Sequence, residues 1–111
     1  MDQYHEPYEL LSKETRDFTR AFRSLIEEIE AVDWYNQRMD VTSDPELKEI
    51  LKHNRDEELE HAAMALEWLR RRIPELDQEL RDNLFKEGEI AGHHGDEGDE
   101  GSTKSKSLKI K

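Results

Sequence analysis

The chain has 111 residues, of which 33% are hydrophobic and 41% charged, and its 17 basic and 28 acidic residues leave a net charge of −11. A chain of this length is expected to form one small domain, and one this polar can bury only a thin core unless it assembles with copies of itself. The negative charge argues against nucleic acid as a partner and favours cations. The absence of cysteine excludes disulfides, thiolate metal sites and cysteine catalysis.

The first residues of the chain, Met1 to Pro7, have neither the basic segment nor the apolar segment of a signal peptide. No apolar run approaches the roughly 20 residues that a membrane helix needs. We therefore expect no signal peptide and no membrane segment, and the absence of cysteine fits a cytoplasmic protein.

The first predicted element is a long amphipathic helix from Pro7 to Asp40. Pro7 can occupy the first turn, where its missing N–H costs nothing. The helix is indicated by a stripe whose members are four and three residues apart in turn. The stripe consists of Leu11, Thr15, Phe18, Phe22, Leu25, Ile29, Val32, Asn36 and Met39.

The second predicted helix runs from Pro45 to Arg72. Asp44 is a favourable N-cap and Pro45 a favourable first residue. Ile73-Pro74 ends the helix, because proline disfavours the helical conformation in the residue before it. The second helix has its own stripe, again in steps of four and three: Leu47, Leu51, Asn54, Glu58, His61, Ala65 and Trp68.

A shorter third helix is predicted from Pro74 to Phe85, with leucines recurring every four residues on one side. The fold class is therefore all-α, with an antiparallel two-helix hairpin plus a short third helix over residues 1–87. Residues 88–105 hold all five glycines and many acids, which is typical of a flexible linker. Residues 106–111 again contain apolar side chains.

Three residues on these helices have the chemistry of metal ligands. Glu58 and His61 are one helical turn apart on an apolar stripe, where a leucine would be expected. Glu28 interrupts an apolar part of the first helix. Buried carboxylates are costly unless they are paired or bind metal. Glu28 and Glu58 are equidistant from Ser43, so an antiparallel hairpin brings them side by side.

One hairpin supplies only half of a dinuclear iron site. Four-helix di-iron proteins use a Glu from each of two helices and Glu-x-x-His from the other two. A two-fold dimer would supply the missing half by symmetry, which predicts a four-helix-bundle site completed by dimerisation. Glu-x-x-His alone is a weak motif, and a solvated Glu and His remain the alternative explanation.

Three segments together resemble the encapsulated ferritin family, whose members are packaged in encapsulin nanocompartments: residues 27–35, 53–64 and 67–71. The resemblance covers most of the chain from His5 to Phe85. It implies a ferritin-like fold, homodimers with a di-iron ferroxidase site at their interface, and a ring of five dimers, which is a homodecamer. It also implies iron storage within an encapsulin shell.

The resemblance further assigns roles to individual residues. Glu28, Glu58 and His61 match the catalytic iron ligands. Trp34 and Tyr35 match aromatic residues beside the site, and Glu27 and Glu30 match acids that attract metal towards it. A weaker metal site between subunits, which could take calcium or another divalent cation, is matched by His53, Glu57 and Glu60.

The C-terminal segment Ser107-Leu108-Lys109-Ile110 resembles the cargo-loading peptides of encapsulin systems. In an extended peptide the side chains of Leu108 and Ile110 point the same way. These residues, with Ser107, are therefore predicted to bind the encapsulin shell protein, with an ordinary frayed terminus as the alternative.

Two other functions compete with the ferroxidase hypothesis. One is a metal-binding helical module without turnover, in which the acids only buffer cations. The other is a rubrerythrin-like peroxidase, which is disfavoured because the chain has no cysteine for a rubredoxin-type iron site.

Overall fold

The computed structural model describes residues 3–92, and within that range the chain forms helices and turns without strands. Three α-helices follow a single 3₁₀ turn at Tyr8–Leu10: α1 is Lys13–Val41, α2 is Pro45–Arg72 and α3 is Pro74–Asn83. The predicted all-α class is confirmed. The chain divides into two compact units, a first that ends at Leu69 and a second that begins at Arg70.

Helix α1 begins six residues later than predicted. Ser12, not Pro7, precedes the helix, and its hydroxyl accepts a hydrogen bond from the backbone N–H of Thr15 at 3.0 Å. A serine N-cap satisfies an N–H group that the first turn leaves without a partner. The preceding 3₁₀ turn is tied to α1 by Arg16, whose guanidinium lies 3.8 Å from the centre of the Tyr8 ring.

Helix α2 begins and ends where it was predicted. A carboxylate oxygen of Asp44 accepts hydrogen bonds from the backbone N–H groups of Glu46 at 2.9 Å and Leu47 at 3.4 Å. Asp44 is therefore the N-cap that the sequence indicated. At the other end, three arginines occupy the last turn, where the helix dipole favours positive charge.

Helix α3 ends two residues before the predicted Phe85. Asn83 donates a side-chain hydrogen bond to the carbonyl oxygen of Glu79 at 2.8 Å. Leu84 is already extended, and Phe85 has a left-handed backbone with φ of 59°. An asparagine side chain that bonds to local backbone in this way competes with continuation of the helix.

The register of the α1–α2 hairpin is visible in pairs of side chains that face each other. The rings of Phe18 and Trp68 meet edge to face with centroids 5.9 Å apart, and this pair is centred on Ser43. Arg55 also reaches across the hairpin and donates a hydrogen bond to the side-chain oxygen of Asn36 at 2.7 Å. An aromatic contact and a polar contact therefore hold the two helices side by side.

The described part of the chain buries very little. Among residues 3–92, Leu69 is the one hydrophobic residue that is fully buried. Large apolar side chains of the hairpin are instead open to solvent, and they include Phe22, Ile26, Ile29, Trp34, Leu47, Ile50, Leu59 and Met64. Exposed apolar surface of this kind commonly marks an interaction surface.

Within residues 3–92, none of the helices combines the length and the apolar character required to cross a membrane. Most of the predicted linker and all of the predicted C-terminal peptide, residues 106–111, lie outside the described residues. The boundaries at 87 and 105 therefore remain predictions.

Candidate metal centre

The candidate centre is built by two helices of the hairpin. Glu28 lies in the middle of α1 and is half-buried, and Glu58 lies in the middle of α2 and is also half-buried. Both carboxylates are far from helix ends, so the helical backbone around them is fully hydrogen-bonded. Their equal separation from Ser43 brings them together across the hairpin, as the sequence indicated.

His61 is the third member of the cluster. It lies one turn after Glu58 on α2, and its Nδ1 is 3.5 Å from Oε1 of Glu58. The imidazole is more open to solvent than the two carboxylates, with 46% of its side chain exposed against 27% for Glu58. The cluster therefore has a closed side formed by carboxylates and an open side formed by the histidine.

The donor atoms of Glu28, Glu58 and His61 all lie within 4.8 Å of one another. Donors on opposite sides of one ion, each about 2.1 Å from it, would be roughly 4.2 Å apart. A small adjustment of the side chains would therefore bring the donors to ligand distances. In the part of the chain that the structure describes, no other group of three acidic or histidine side chains meets this geometry.

The hydrogen bonding of Glu28 supports a metal site. Its Oε1 is buried and has no hydrogen-bond partner among the described residues. A buried carboxylate oxygen without a partner carries the full cost of desolvation, which an ion can offset. Oxygen and imidazole donors suit iron, manganese and zinc. The donor set and the unpartnered oxygen therefore both fit a divalent cation.

Glu28 and His61 open into a groove of about 560 Å³ between α1 and α2. Its other lining residues come from both helices of the hairpin: Asp17, Arg20, Ala21, Ser24, Met64, Ala65 and Trp68. Small side chains line part of the groove, so its surface lies close to the helix backbones. The candidate centre is thus reached from an open groove.

The arginine that precedes Glu58 on α2 is already paired with another acid. The Nε of Arg55, three residues before Glu58, donates a hydrogen bond to Asp56 at 2.8 Å. Hydrogen bonds from Lys52 and then from Arg55 lower the pKa of Asp56 below its usual value. Because Asp56 and Asn36 both accept hydrogen bonds from Arg55, its guanidinium is directed to these partners.

A protein-family model described as EncFtn-like matches residues 3–87. The chain belongs to the EncFtn-like family. The match spans all of α1, α2 and α3, and therefore includes every residue of the candidate centre.

Curated relatives of this EncFtn-like chain have names that agree with the family. The "ferritin-like protein" of Thermotoga maritima is 58% identical over 80% of this chain and 78% of its own length. The "encapsulated ferritin-like protein" of Rhodospirillum rubrum is 59% identical over 78% of this chain and 61% of its own length. The "encapsulin nanocompartment cargo protein EncC" of Myxococcus xanthus is 35% identical over 63% of this chain and 55% of its own length.

The chain thus spans less than two thirds of the R. rubrum and M. xanthus relatives. Among solved structures, it is similar to the crystal structure of protein ne0167 from Nitrosomonas europaea. That protein shares 61% identity and superposes with a TM-score of 0.79, covering 81% of this chain and 99% of the other. Sequence and fold therefore agree on the family.

Among the described residues of this EncFtn-like chain, two of the five expected to guide or bind further metal, a histidine and a glutamate, are paired with each other. Nε2 of His53 is 3.2 Å from Oε2 of Glu57, and both side chains are more than half exposed. Glu27, Glu30 and Glu60 are exposed. Within one described chain these five residues do not form a three-ligand group, so a site between subunits remains a prediction.

The two aromatic residues expected beside the centre are not among the side chains that line its groove. Trp34 is half exposed, and Tyr35 is half-buried with the guanidinium of Arg38 at 5.2 Å from its ring centre. Trp68 occupies the groove instead. The placement of Trp34 and Tyr35 next to the metals of this EncFtn-like protein therefore stays a prediction.

Sequence reasoning missed two features of the site. The first is that Met64 lines the groove. Its position three residues after His61 could have predicted this, because residues three apart share a helical face. The hydrogen bond between Arg55 and Asn36 joins residues 19 positions apart. No local sequence pattern predicts that pairing, because it depends on how the two helices face each other.

Proposed function

We propose that this protein is a ferroxidase, which oxidises iron(II) to iron(III) at a dinuclear site with iron as its substrate. The observation that carries the proposal is the cluster of Glu28, Glu58 and His61, whose donor atoms lie within 4.8 Å. It offers one Glu from α1 and a Glu-x-x-His pair from α2. Ferritin-like di-iron centres draw on this combination twice. Membership of the EncFtn-like family agrees with it.

The donor types suit the proposed reaction. Carboxylate oxygens bind iron in both oxidation states, and their negative charge favours the more highly charged iron(III). Each iron(II) gives up one electron, so two adjacent ions supply the two electrons that reduce dioxygen, with two protons, to hydrogen peroxide. Peroxide is the alternative oxidant. The side chains hold the two ions close together, and the open side at His61 admits them.

A second copy of the chain completes the site in this proposal. One chain provides three donors, whereas two chains related by a two-fold axis provide six. The apolar side chains that the hairpin exposes supply a surface for such a dimer, and the near absence of a core in residues 3–92 gives a reason to form it. By the family resemblance, five dimers then form a ring.

The exposed acids guide cations towards the site. Glu27 and Glu30 lie next to Glu28 on α1 and are solvated. Charge of one sign raises the local concentration of the opposite ion and speeds its arrival. His53, Glu57 and Glu60 form the weaker cation site between subunits.

The proposed place of action is an encapsulin nanocompartment in the cytoplasm. Support comes from two relatives, one named as encapsulated and the other as an encapsulin nanocompartment cargo protein. Ser107, Leu108 and Ile110 bind the shell in this proposal, and the iron(III) product is stored inside it.

The activity is tested by adding iron(II) to anaerobic protein, admitting air and following ferric absorbance against a buffer blank. Glu58→Gln removes a ligand charge without changing the shape of the side chain. Glu49→Gln removes the same charge from an exposed position of α2 and is its matched control. We expect the parent and Glu49→Gln to oxidise iron above the blank and Glu58→Gln to match the blank. A parent that binds iron without accelerating its oxidation would instead be the non-catalytic module.

Assembly is tested by native mass measurement with and without iron(II). Metal that binds only the native interface stabilises the assembly by mass action. We expect iron(II) to shift the population towards larger assemblies and monomers at low concentration to be inactive. Full activity in a demonstrated monomer would contradict the proposal that a second copy completes the site.

A further inference from the structure

Met64 is an apolar side chain placed beside the candidate centre. It follows His61 by three residues and precedes Trp68 by four, so the three side chains share one face of α2. All three line the groove into which Glu28 also opens. Met64 is nevertheless 57% exposed in the single chain. Its thioether therefore lines the same groove as the proposed site of oxidation, where the peroxide would form.

We propose that Met64 is a modification site, whose sulfur takes up an oxygen atom from the hydrogen peroxide formed by iron oxidation and becomes methionine sulfoxide. This inference rests on the proposed ferroxidase function. Thioethers are readily oxidised side chains, and the sulfoxide is the ordinary product. Met64 then removes an oxidant that would otherwise attack the imidazole of His61 or the indole of Trp68.

The reaction balances without a further reagent. Two iron(II) ions, one dioxygen molecule and two protons give two iron(III) ions and one hydrogen peroxide. The O–O bond of the peroxide breaks as an S–O bond forms on Met64, and the second oxygen leaves as water. Sulfur loses two electrons and the peroxide gains them. Each chain can carry out this step once, so the modification is stoichiometric.

The chain offers an internal control for position. Met39 also belongs to the described residues, but it lies eleven residues after Glu28 on α1, roughly 16 Å along the helix. It does not line the groove. A peroxide formed at the centre should therefore reach Met64 before it reaches Met39. Because Met39 is half-buried and Met64 exposed, random oxidation also favours Met64, so the ratio of the two must be compared with that produced by added peroxide.

Oxidation also changes the chemistry of the groove. A sulfoxide is polar and accepts hydrogen bonds, whereas the thioether is apolar. In the groove this polar group would stand close to the small side chains of Ala65 and Ala21, which line the same surface. The modification therefore records past turnover at the position where it occurred.

The test uses the full-length parent protein with iron(II) in air and records ferric absorbance in the same samples that are digested for mass spectrometry. Trypsin separates the two methionines, with Met64 in residues 56–70 and Met39 in residues 39–48. A second sample receives zinc(II), which occupies similar ligands but has no redox chemistry. A third receives no metal and the amount of hydrogen peroxide that the iron reaction would generate.

We expect one added oxygen on the Met64 peptide after iron oxidation, with much less on the Met39 peptide. The zinc sample should stay unmodified, and the peroxide sample should be less modified at Met64 than the iron sample. If added peroxide modified Met64 to the same extent, Met64 would be an ordinary exposed methionine and the inference would be wrong. An unmodified Met64 despite a full rise in ferric absorbance would overturn the inference alone, whereas the absence of that rise would overturn the proposed function as well.

Discussion

Two clusters of charged residues in this protein surround a carboxylate in opposite ways. In the C-terminal unit, Asp77 of α3 accepts hydrogen bonds from Arg70 and Arg81, and Nε of Arg81 is 3.0 Å from both of its oxygens. In the hairpin unit, Glu28 has a buried oxygen without a hydrogen-bond partner in residues 3–92, and it faces another acid and a histidine. The first carboxylate is hydrogen-bonded by the protein, and the second is a candidate metal ligand.

The comparison separates structural acids from candidate ligands in a chain with 28 acidic residues. Hydrogen bonds from Arg81 and then from Arg70 lower the pKa of Asp77, and hydrogen bonds from Lys13 and then from Arg20 lower that of Asp17. Arginine or lysine partners therefore mark acids whose charge the protein itself pairs. Glu28 differs, because its Oε1 is buried and has no such partner in the part of the chain that the structure describes.

The largest expected effect is loss of the candidate centre. Glu28→Gln removes one charge while keeping the shape of the side chain, and iron oxidation should fall at least by the roughly 10- to 100-fold that losing a ligand's supporting partner costs. The metal-free unfolding midpoint should not fall, because Oε1 of Glu28 has no hydrogen bond to lose among the described residues. Ferric absorbance and thermal melting in chelator measure the two quantities. A variant that oxidises iron at the parental rate would remove Glu28 from the ligand set.

The opposite result is expected for the other cluster. Asp77→Asn removes the charge that both arginines contact, so the unfolding midpoint should fall while iron oxidation in the folded protein persists. Thermal melting in chelator and ferric absorbance again measure these two quantities. If Asp77→Asn abolished iron oxidation in a folded protein, the division between a structural and a ligand cluster would be wrong.

The pH dependence of unfolding sharpens the same comparison. The folded pKa of Asp77 lies below its ordinary value of 3.8, so its ionised form is favoured by folding. Its stabilising contribution is present above that ordinary value and is lost as pH falls through the lower folded pKa. Denaturant unfolding of the parent between neutral pH and about pH 3 should show this loss, and Asp77→Asn should show a smaller one. If the parent and Asp77→Asn lost stability equally as pH falls, the stabilising role assigned to ionised Asp77 would be wrong.

A smaller effect is expected at the exposed acids of α1. Replacing Glu27 and Glu30 with Gln should slow iron arrival and weaken its dependence on salt, because screening acts on the charges that were removed. The centre itself should still form. Stopped-flow oxidation at several salt concentrations measures this, with Asp40 and Glu49, both exposed, replaced together as the matched control. Complete loss of oxidation would make Glu27 or Glu30 a ligand instead of a guide.

The smallest effect on the chemistry is expected from the C-terminus. Deleting residues 107–111 should leave iron oxidation in solution unchanged, since Glu28, Glu58 and His61 all lie in the hairpin unit. Co-expressed with the cognate encapsulin, the shortened chain should no longer co-purify with the shell. Packaging equal to that of the full chain would place the shell-binding segment elsewhere.

Much of the hairpin and the ligand triad could be predicted because the signals are local or periodic. The α2 boundaries follow from Asp44-Pro45 and Ile73-Pro74, where capping and proline sterics act over one or two residues. Glu28, Glu58 and His61 were identified by ligand chemistry on apolar stripes, and the equal distance of the two glutamates from the turn predicted that they meet.

Tertiary structure decided the features that depend on particular side-chain partners. The two helix ends that differ from the prediction, at Lys13 and Asn83, instead depend on local side-chain bonds of Ser12 and Asn83 that periodicity alone does not reveal. The groove with Met64 and the link from Arg55 to Asn36 exist only when two helices are packed in one register. Periodicity specifies which face of a helix is apolar, whereas the partner of each side chain depends on contacts between residues far apart in the chain.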